Sequence, residues 1–170
     1  MPDKLNENSN PIRKMAAILA ADVVGYSKLM AVNETQTLKT LKETRTIIDK
    51  IIKNCNGRIF NTAGDSVMAE FASPVEAVNA ASEFQKLLKE RNINNEHKIE
   101  FRVGINLGDI MMQDNNLFGD NVNIAARLES IATPGGISIS EKVYQEVYNK
   151  VETNFISKGE KSLKNIRNKV

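Results

Sequence analysis

Asp22 and Asp65 are the two residues whose surroundings best suit them to chemistry. Asp22 closes an apolar run, Met15-Ala16-Ala17-Ile18-Leu19-Ala20-Ala21, with the composition of a buried strand. Gly25 follows and lets the backbone turn, with a helix expected to start a few residues later. A strand that ends on a carboxylate and runs into a tight turn with free backbone N–H groups can hold a divalent cation and the phosphates bound to it. A second acidic turn, Asn61-Thr62-Ala63-Gly64-Asp65-Ser66, lies between two more strand-like runs. Two such carboxylates can hold two metal ions on one nucleotide. Taken singly, Asp22 also reads as a solvated carboxylate at a strand end, and Gly25 and Gly64 as ordinary turn glycines.

The remaining composition removes most other chemistries. The 170 residues suffice for one domain with a substantial core. A net charge of +2 and the lack of a Lys/Arg run argue against a nucleic-acid partner. Cys55 is the only cysteine, which excludes a disulfide within the chain and suits a reducing compartment. His97 is the only histidine and sits in a polar stretch, residues 94–98, as an exposed loop residue would. Ser-His, Cys-His and multi-histidine zinc chemistry therefore lack raw material. No apolar run is long enough to span a membrane and no signal peptide is evident, so a cytoplasmic protein with no membrane partner is expected.

The elements that must position the two aspartates follow from pattern. Residues 1–11 are polar and aperiodic, a mobile tail ahead of a single domain over residues 12–170. The first strand is expected over 14–23. Asn33, with Gln36 three residues on, reads as a helix cap, and Leu38, Leu41, Ile47, Ile48, Ile51 and Ile52 follow near helical period. Strands 58–60 and 67–71 make a hairpin with Asp65 at its tip. Ser73-Pro74-Val75-Glu76 opens a second helix, to about residue 91. Residues 98–110 alternate as a strand, with Gly104 and Gly108 marking close backbone approach or a bulge. A hairpin through Asp114-Asn115-Asn116 and a helix over 119–132, packing through Val122, Ala125, Ala126 and Leu128, come next. A Pro134-Gly135-Gly136 turn, a strand over 137–139, a helix over 140–148 and a final hairpin within 151–170 complete an α/β chain with a mixed sheet.

Five ordered segments, ADVVGYSKLM, TAGDSVMAEF, FRVGINLGD, LFGDNVNIAARLE and PGGISIS, give the chain a resemblance to the catalytic domain of class III nucleotidyl cyclases of bacterial type, over residues 13–166. The resemblance implies a ferredoxin-like α/β core, a mixed sheet flanked by helices, and a head-to-tail homodimer with composite active sites between protomers. It implies conversion of a nucleoside triphosphate to the 3′,5′-cyclic monophosphate and pyrophosphate, with two Mg²⁺ or Mn²⁺ ions per site. Asp22 and Asp65 match the metal carboxylates and the Val23 carbonyl a further ligand. One ion would lower the pKa of the attacking 3′-hydroxyl, and the other would neutralise the triphosphate. Gly25, Tyr26 and Ser27 match the phosphate-binding turn, though Tyr26 also reads as a core residue. Asn123 matches the asparagine that positions ribose and Arg127 the arginine on the phosphates. Four residues apart, both lie on one helix face, reaching a nucleotide held mainly by the other protomer.

The chain departs from the adenylyl pattern at the base. The positions of the adenine-reading lysine and aspartate are Asn61 and Asn116. An amide offers a donor and an acceptor side by side and can pair with any of the four bases. Overall resemblance favours ATP, with GTP, UTP and CTP as alternatives; some short bacterial members of the superfamily use pyrimidines. Asp109 stands where many animal members carry a triphosphate-binding arginine. Lys164, or failing it Lys161, is the candidate for the C-terminal phosphate lysine. Two readings of other kinds compete: an inert dimerising regulatory domain, and a diguanylate cyclase of the GGDEF type, whose signature is lacking.

Overall fold

The computed structural model describes residues 10–170. The tail expected over residues 1–11 thus lies outside the described residues, apart from Asn10 and Pro11. A six-stranded mixed sheet forms the centre. Its spine is β1 (Ile12–Val23), paired antiparallel with β3 (Ser66–Phe71) on one side and β4 (Phe101–Gln113) on the other. β2 (Arg58–Ala63) lies outside β3, and β5 (Asn116–Phe118) outside the far end of β4. β6 (Ile137–Ile139) runs parallel to the near end of β4.

β1 is buried on both faces, which is why it reads as a continuous apolar run. Ala17, Leu19, Ala21 and Val23 join one core with α2 (Glu34–Asn54), α3 (Pro74–Ile93) and α5 (Glu141–Val147). Ala16, Ile18 and Ala20 join a second core with Val122 and Ala125 of α4 (Asp120–Ile131). Met15, expected to be buried with this run, is 65% exposed, because both cores begin at the residues that follow it.

The cap of α2 is as expected: Asn33 Oδ1 accepts the Gln36 N–H at 3.0 Å. Its buried face is not. Leu38 is largely exposed, and the first half of the helix buries Thr37, Thr40 and Thr44 instead. Their hydroxyls are bonded locally, Thr44 Oγ1 to the carbonyls of Thr40 and Leu41 and Thr37 Oγ1 to that of Leu29 at 2.9 Å, so burial leaves them satisfied. The Leu29 bond ties α2 to α1 (Tyr26–Val32), the helix that follows Gly25.

β4 and β5 are joined by Asp114 and Asn115 at φ 52° and 63°, the two left-handed positions of a type I′ turn. The final hairpin expected within 151–170 does not form. Lys161 and Val170 exchange one pair of backbone hydrogen bonds, 2.7 and 2.9 Å, with no strand on either side. Leu163 is the only buried side chain of that stretch, so no alternating apolar face sets a ladder.

Candidate active site

The two aspartates meet at one end of the sheet. Asp22 is the last residue but one of β1, and the pairing of Ala21 with Val67 sets the β2–β3 turn beside that end. Gly64, at φ +57°, makes the turn in a conformation that L side chains avoid. Asp65 Oδ2 then accepts the Val23 N–H at 3.0 Å. That N–H belongs to the peptide joining Asp22 to Val23, so the two carboxylates flank a single peptide unit.

Gly25, at φ 65° and ψ 34°, turns the chain directly into α1, which starts at Tyr26 and not a few residues later. The Leu29 N–H closes back on the Gly25 carbonyl at 3.1 Å, while the earlier N–H groups of α1, including those of Tyr26 and Ser27, have no acceptor within the helix. The Tyr26 side chain packs against the first core. Ser27 is exposed.

α4 carries Asn123, exposed, and Arg127, half-buried. Neither side chain makes a hydrogen bond or ion pair among the described residues, and neither reaches Asp22 or Asp65. α4 lies directly on β4: a Cβ on Gly104 would run into the Glu129 nitrogen, the Ala125 carbonyl oxygen and the Leu128 carbonyl carbon. The start of the helix is held by amides, with Asn106 Nδ2 donating to the Asn121 carbonyl at 3.0 Å and Asn121 Nδ2 to the Asp109 carbonyl at 2.9 Å.

Sequence reasoning missed Glu129. It is buried on α4 within hydrogen-bond reach of Asp22, and Arg102 stands opposite Asp22 on β4. The signal was its spacing, four residues after Ala125 and seven after Val122, on the apolar face. Burial pushes the Glu129 carboxyl up to about 9, with the Asp22 carboxylate adding to the rise and Arg102 opposing it. The folded chain therefore binds a proton that the unfolded chain has already released. Without metal, stability is expected to fall as the pH rises from about 4.5 to about 9, and Glu129→Gln should flatten that fall. Urea unfolding of both proteins across this range checks it; parallel pH profiles would count against a protonated Glu129.

The oxygens at this end suit a hard divalent cation. One oxygen of Asp65 is engaged by the Val23 N–H, which aims the carboxylate and leaves its other oxygen available; Asp22 is met by the Glu129 carboxyl but by no backbone N–H among the described residues. No group of three or more His, Cys, Asp or Glu residues among the described residues can enclose a metal alone. Two carboxylates completed by substrate phosphates is the usual arrangement for Mg²⁺.

The other expected positions are more dispersed. Asn61 is exposed on β2 opposite Met68, just past an irregularity in the pairing. Asn116 opens β5, its Oδ1 accepting the Leu117 N–H at 3.0 Å, which leaves the amide nitrogen to face outward partners. Asp109 pairs with Arg13 at 2.8 Å on an exposed edge. Lys164 is exposed in a turn held by the Ile166 N–H on the Leu163 carbonyl, and Lys161 is exposed beside it. Within one chain neither lysine contacts the aspartates. His97 is exposed, as expected.

The family model described as the adenylate and guanylate cyclase catalytic domain matches residues 9–170. The chain belongs to this family. Among curated relatives of the cyclase domain, "Putative adenylate cyclase 3" of Rhizobium meliloti (strain 1021) is 41% identical over 161 residues, covering 93% of this chain and 27% of the relative. An adenylate cyclase of Streptomyces coelicolor is 29% identical over 142 residues, covering 83% of this chain and 36% of the relative. The chain thus spans between about a quarter and just over a third of the length of these relatives. A crystal structure of an adenylate/guanylate cyclase/hydrolase from Silicibacter pomeroyi superposes with a TM-score of 0.89 at 40% identity, covering 94% of this chain and 95% of that one. The mixed sheet with its helices is therefore the class III cyclase fold, as the sequence implied.

Proposed function

We propose that the cyclase domain converts a nucleoside triphosphate, ATP by first choice, to its 3′,5′-cyclic monophosphate and pyrophosphate. The observation that carries this reading is the Asp65 bond to the Val23 N–H, which brings two carboxylates far apart in the sequence to one peptide. Asp22, Asp65 and the Val23 carbonyl would hold two Mg²⁺ or Mn²⁺ ions, which supply charge neutralisation and activation of the 3′-hydroxyl when bound. The Gly25–Ser27 turn offers N–H groups to the terminal phosphates, and Lys164 is the candidate C-terminal phosphate lysine.

Asn123 and Arg127 serve the ribose and the phosphates of a nucleotide held by a second copy. Their freedom from internal partners supports this, since a side chain spoken for within its own chain would have to break a bond to reach out. A homodimer with composite sites follows. The presence of Asp22, Asp65, Asn123 and Arg127 together also disfavours an inert regulatory domain, which need not keep all four. No helix among the described residues is long and apolar enough to cross a membrane, which is compatible with the cytoplasmic location we propose.

Base choice rests on Asn61 and Asn116. Asn61 has both amide groups free for the N1 and N6–H edge of adenine, and Asn116 keeps its donor. Purified protein incubated with ATP, GTP, UTP and CTP, with Mn²⁺ and then Mg²⁺, is expected to yield chiefly cyclic AMP. Predominance of another cyclic nucleotide would keep the mechanism and move the substrate. Absence of product from all four would refute the catalytic reading.

A further inference from the structure

The sheet order puts β2 and β5 at opposite ends, yet these strands touch, because the sheet curls over the face that α4 occupies. Arg58 makes the join. From β2, its Nε donates to Glu70 Oε1 at 2.9 Å and its Nη1 to the Asn115 carbonyl at 2.8 Å. Lys14 of β1 stands 2.8 Å from the other oxygen, Glu70 Oε2. Glu70 is mostly buried, and burial pulls its carboxyl upward. The bonds from Lys14 and Arg58 outweigh that and hold it below the ordinary range. Glu70 is thus a fixed charge gripping one arm of the guanidinium, while the other arm reaches the β4–β5 turn.

The two ends of this join are the two base-reading strands. Arg58 lies three residues before Asn61 on β2, and Asn115 immediately precedes Asn116. The left-handed conformation of Asn115 belongs to the two-residue turn whose carbonyl Arg58 holds. No side-chain bond links Asn61 to Asn116 among the described residues, so their spacing depends on the backbones that Arg58 connects. A planar guanidinium can serve two acceptors in fixed directions at once, and an ammonium cannot reproduce that fork.

We propose that Arg58 is a positioning residue for base selection: by joining β2 to the β4–β5 turn it sets the separation of Asn61 and Asn116, and so the base that fits between them. The inference rests on the reading of those asparagines as base readers, and the experiment separates the two. Arg58→Lys keeps the charge beside Glu70 and gives up one arm. In assays with all four triphosphates, the ratio of kcat/KM for the preferred base over the next is expected to fall about tenfold, chiefly through KM. Glu70→Gln frees the other end and should move the ratio the same way; it carries the test if Arg58→Lys fails to melt cooperatively. Asn61→Lys and Asn116→Asp are measured alongside. An unchanged ratio in the Arg58 and Glu70 variants, with a changed one in the asparagine variants, overturns the positioning role alone. An unchanged ratio in both asparagine variants removes the base-reader reading, and the role of Arg58 with it.

Discussion

An equimolar mixture of Asp22→Ala and Arg127→Ala proteins, each nearly inactive alone, is expected to recover about a quarter of wild-type activity. Each single change should cost about 10³ in kcat, because one removes a metal carboxylate and the other the arginine that meets charge developing on the phosphates. In a two-fold symmetric dimer with composite sites, half of randomly mixed dimers pair one variant with the other. In each such pair one site inherits both defects and its companion inherits neither. The geometry motivates the test: Asp22 lies near the end of β1, Arg127 is carried by α4, and no hydrogen bond or ion pair among the described residues joins the two side chains. Gel filtration of the mixture and assay of its cyclic product provide the measurement. If each variant is inactive alone and the mixture is no more active than the average of the two, the site is not shared between protomers.

The second large effect is expected at Gly104. Alanine there places a methyl group against three backbone atoms of α4, from Ala125, Leu128 and Glu129, and no rotamer change can clear them. The helix must lift from the sheet. Loss of about 3 kcal/mol follows from overpacking of this kind, a fall in melting temperature of roughly 10 °C for a chain of this length. Activity should fall as well, even where the protein remains folded, because Asn123 and Arg127 ride on the displaced helix. Urea unfolding together with kinetics at low temperature separates the two losses. Wild-type values for both would mean that α4 is not seated by this contact.

What could be read in the chain was what is local. Asp22 after an apolar run, Gly64 before Asp65, Asn33 with its bond to the Gln36 N–H, and the Asp114-Asn115 turn each involve neighbours in sequence. A few residues determine them, and those residues carry the signal. The family resemblance added roles for Asn123 and Arg127 that spacing alone does not assign. The missed features are non-local. The spacing of Glu129 puts it on the apolar face of α4, but its partner appears only when α4 is laid on β4, which brings it to Asp22 from 107 residues away in the chain. Arg58 meets Asn115 only once the sheet has curled. The threonine face of α2 was hidden for a different reason: hydrophobic periodicity counts a threonine as polar, whereas one bonded to its own helix buries without an orphaned donor.

The place of β1 bears on how the chain acquires this structure. Within this domain the strand made first is the central one, and its partners lie at residues 66–71 and 101–113. Until the second of these has emerged, a strand apolar on both faces has at least one open edge. Pairings of such long sequence separation are slow to form, and exposed edges are prone to wrong partners in the meantime. Once formed, the same arrangement makes β1 the last strand to let go, since it cannot be released without opening both cores at once. Asp22, next to its end, is accordingly mounted on the strand that both cores hold, while the Asp65 turn that must meet it lies at the tip of an outer hairpin.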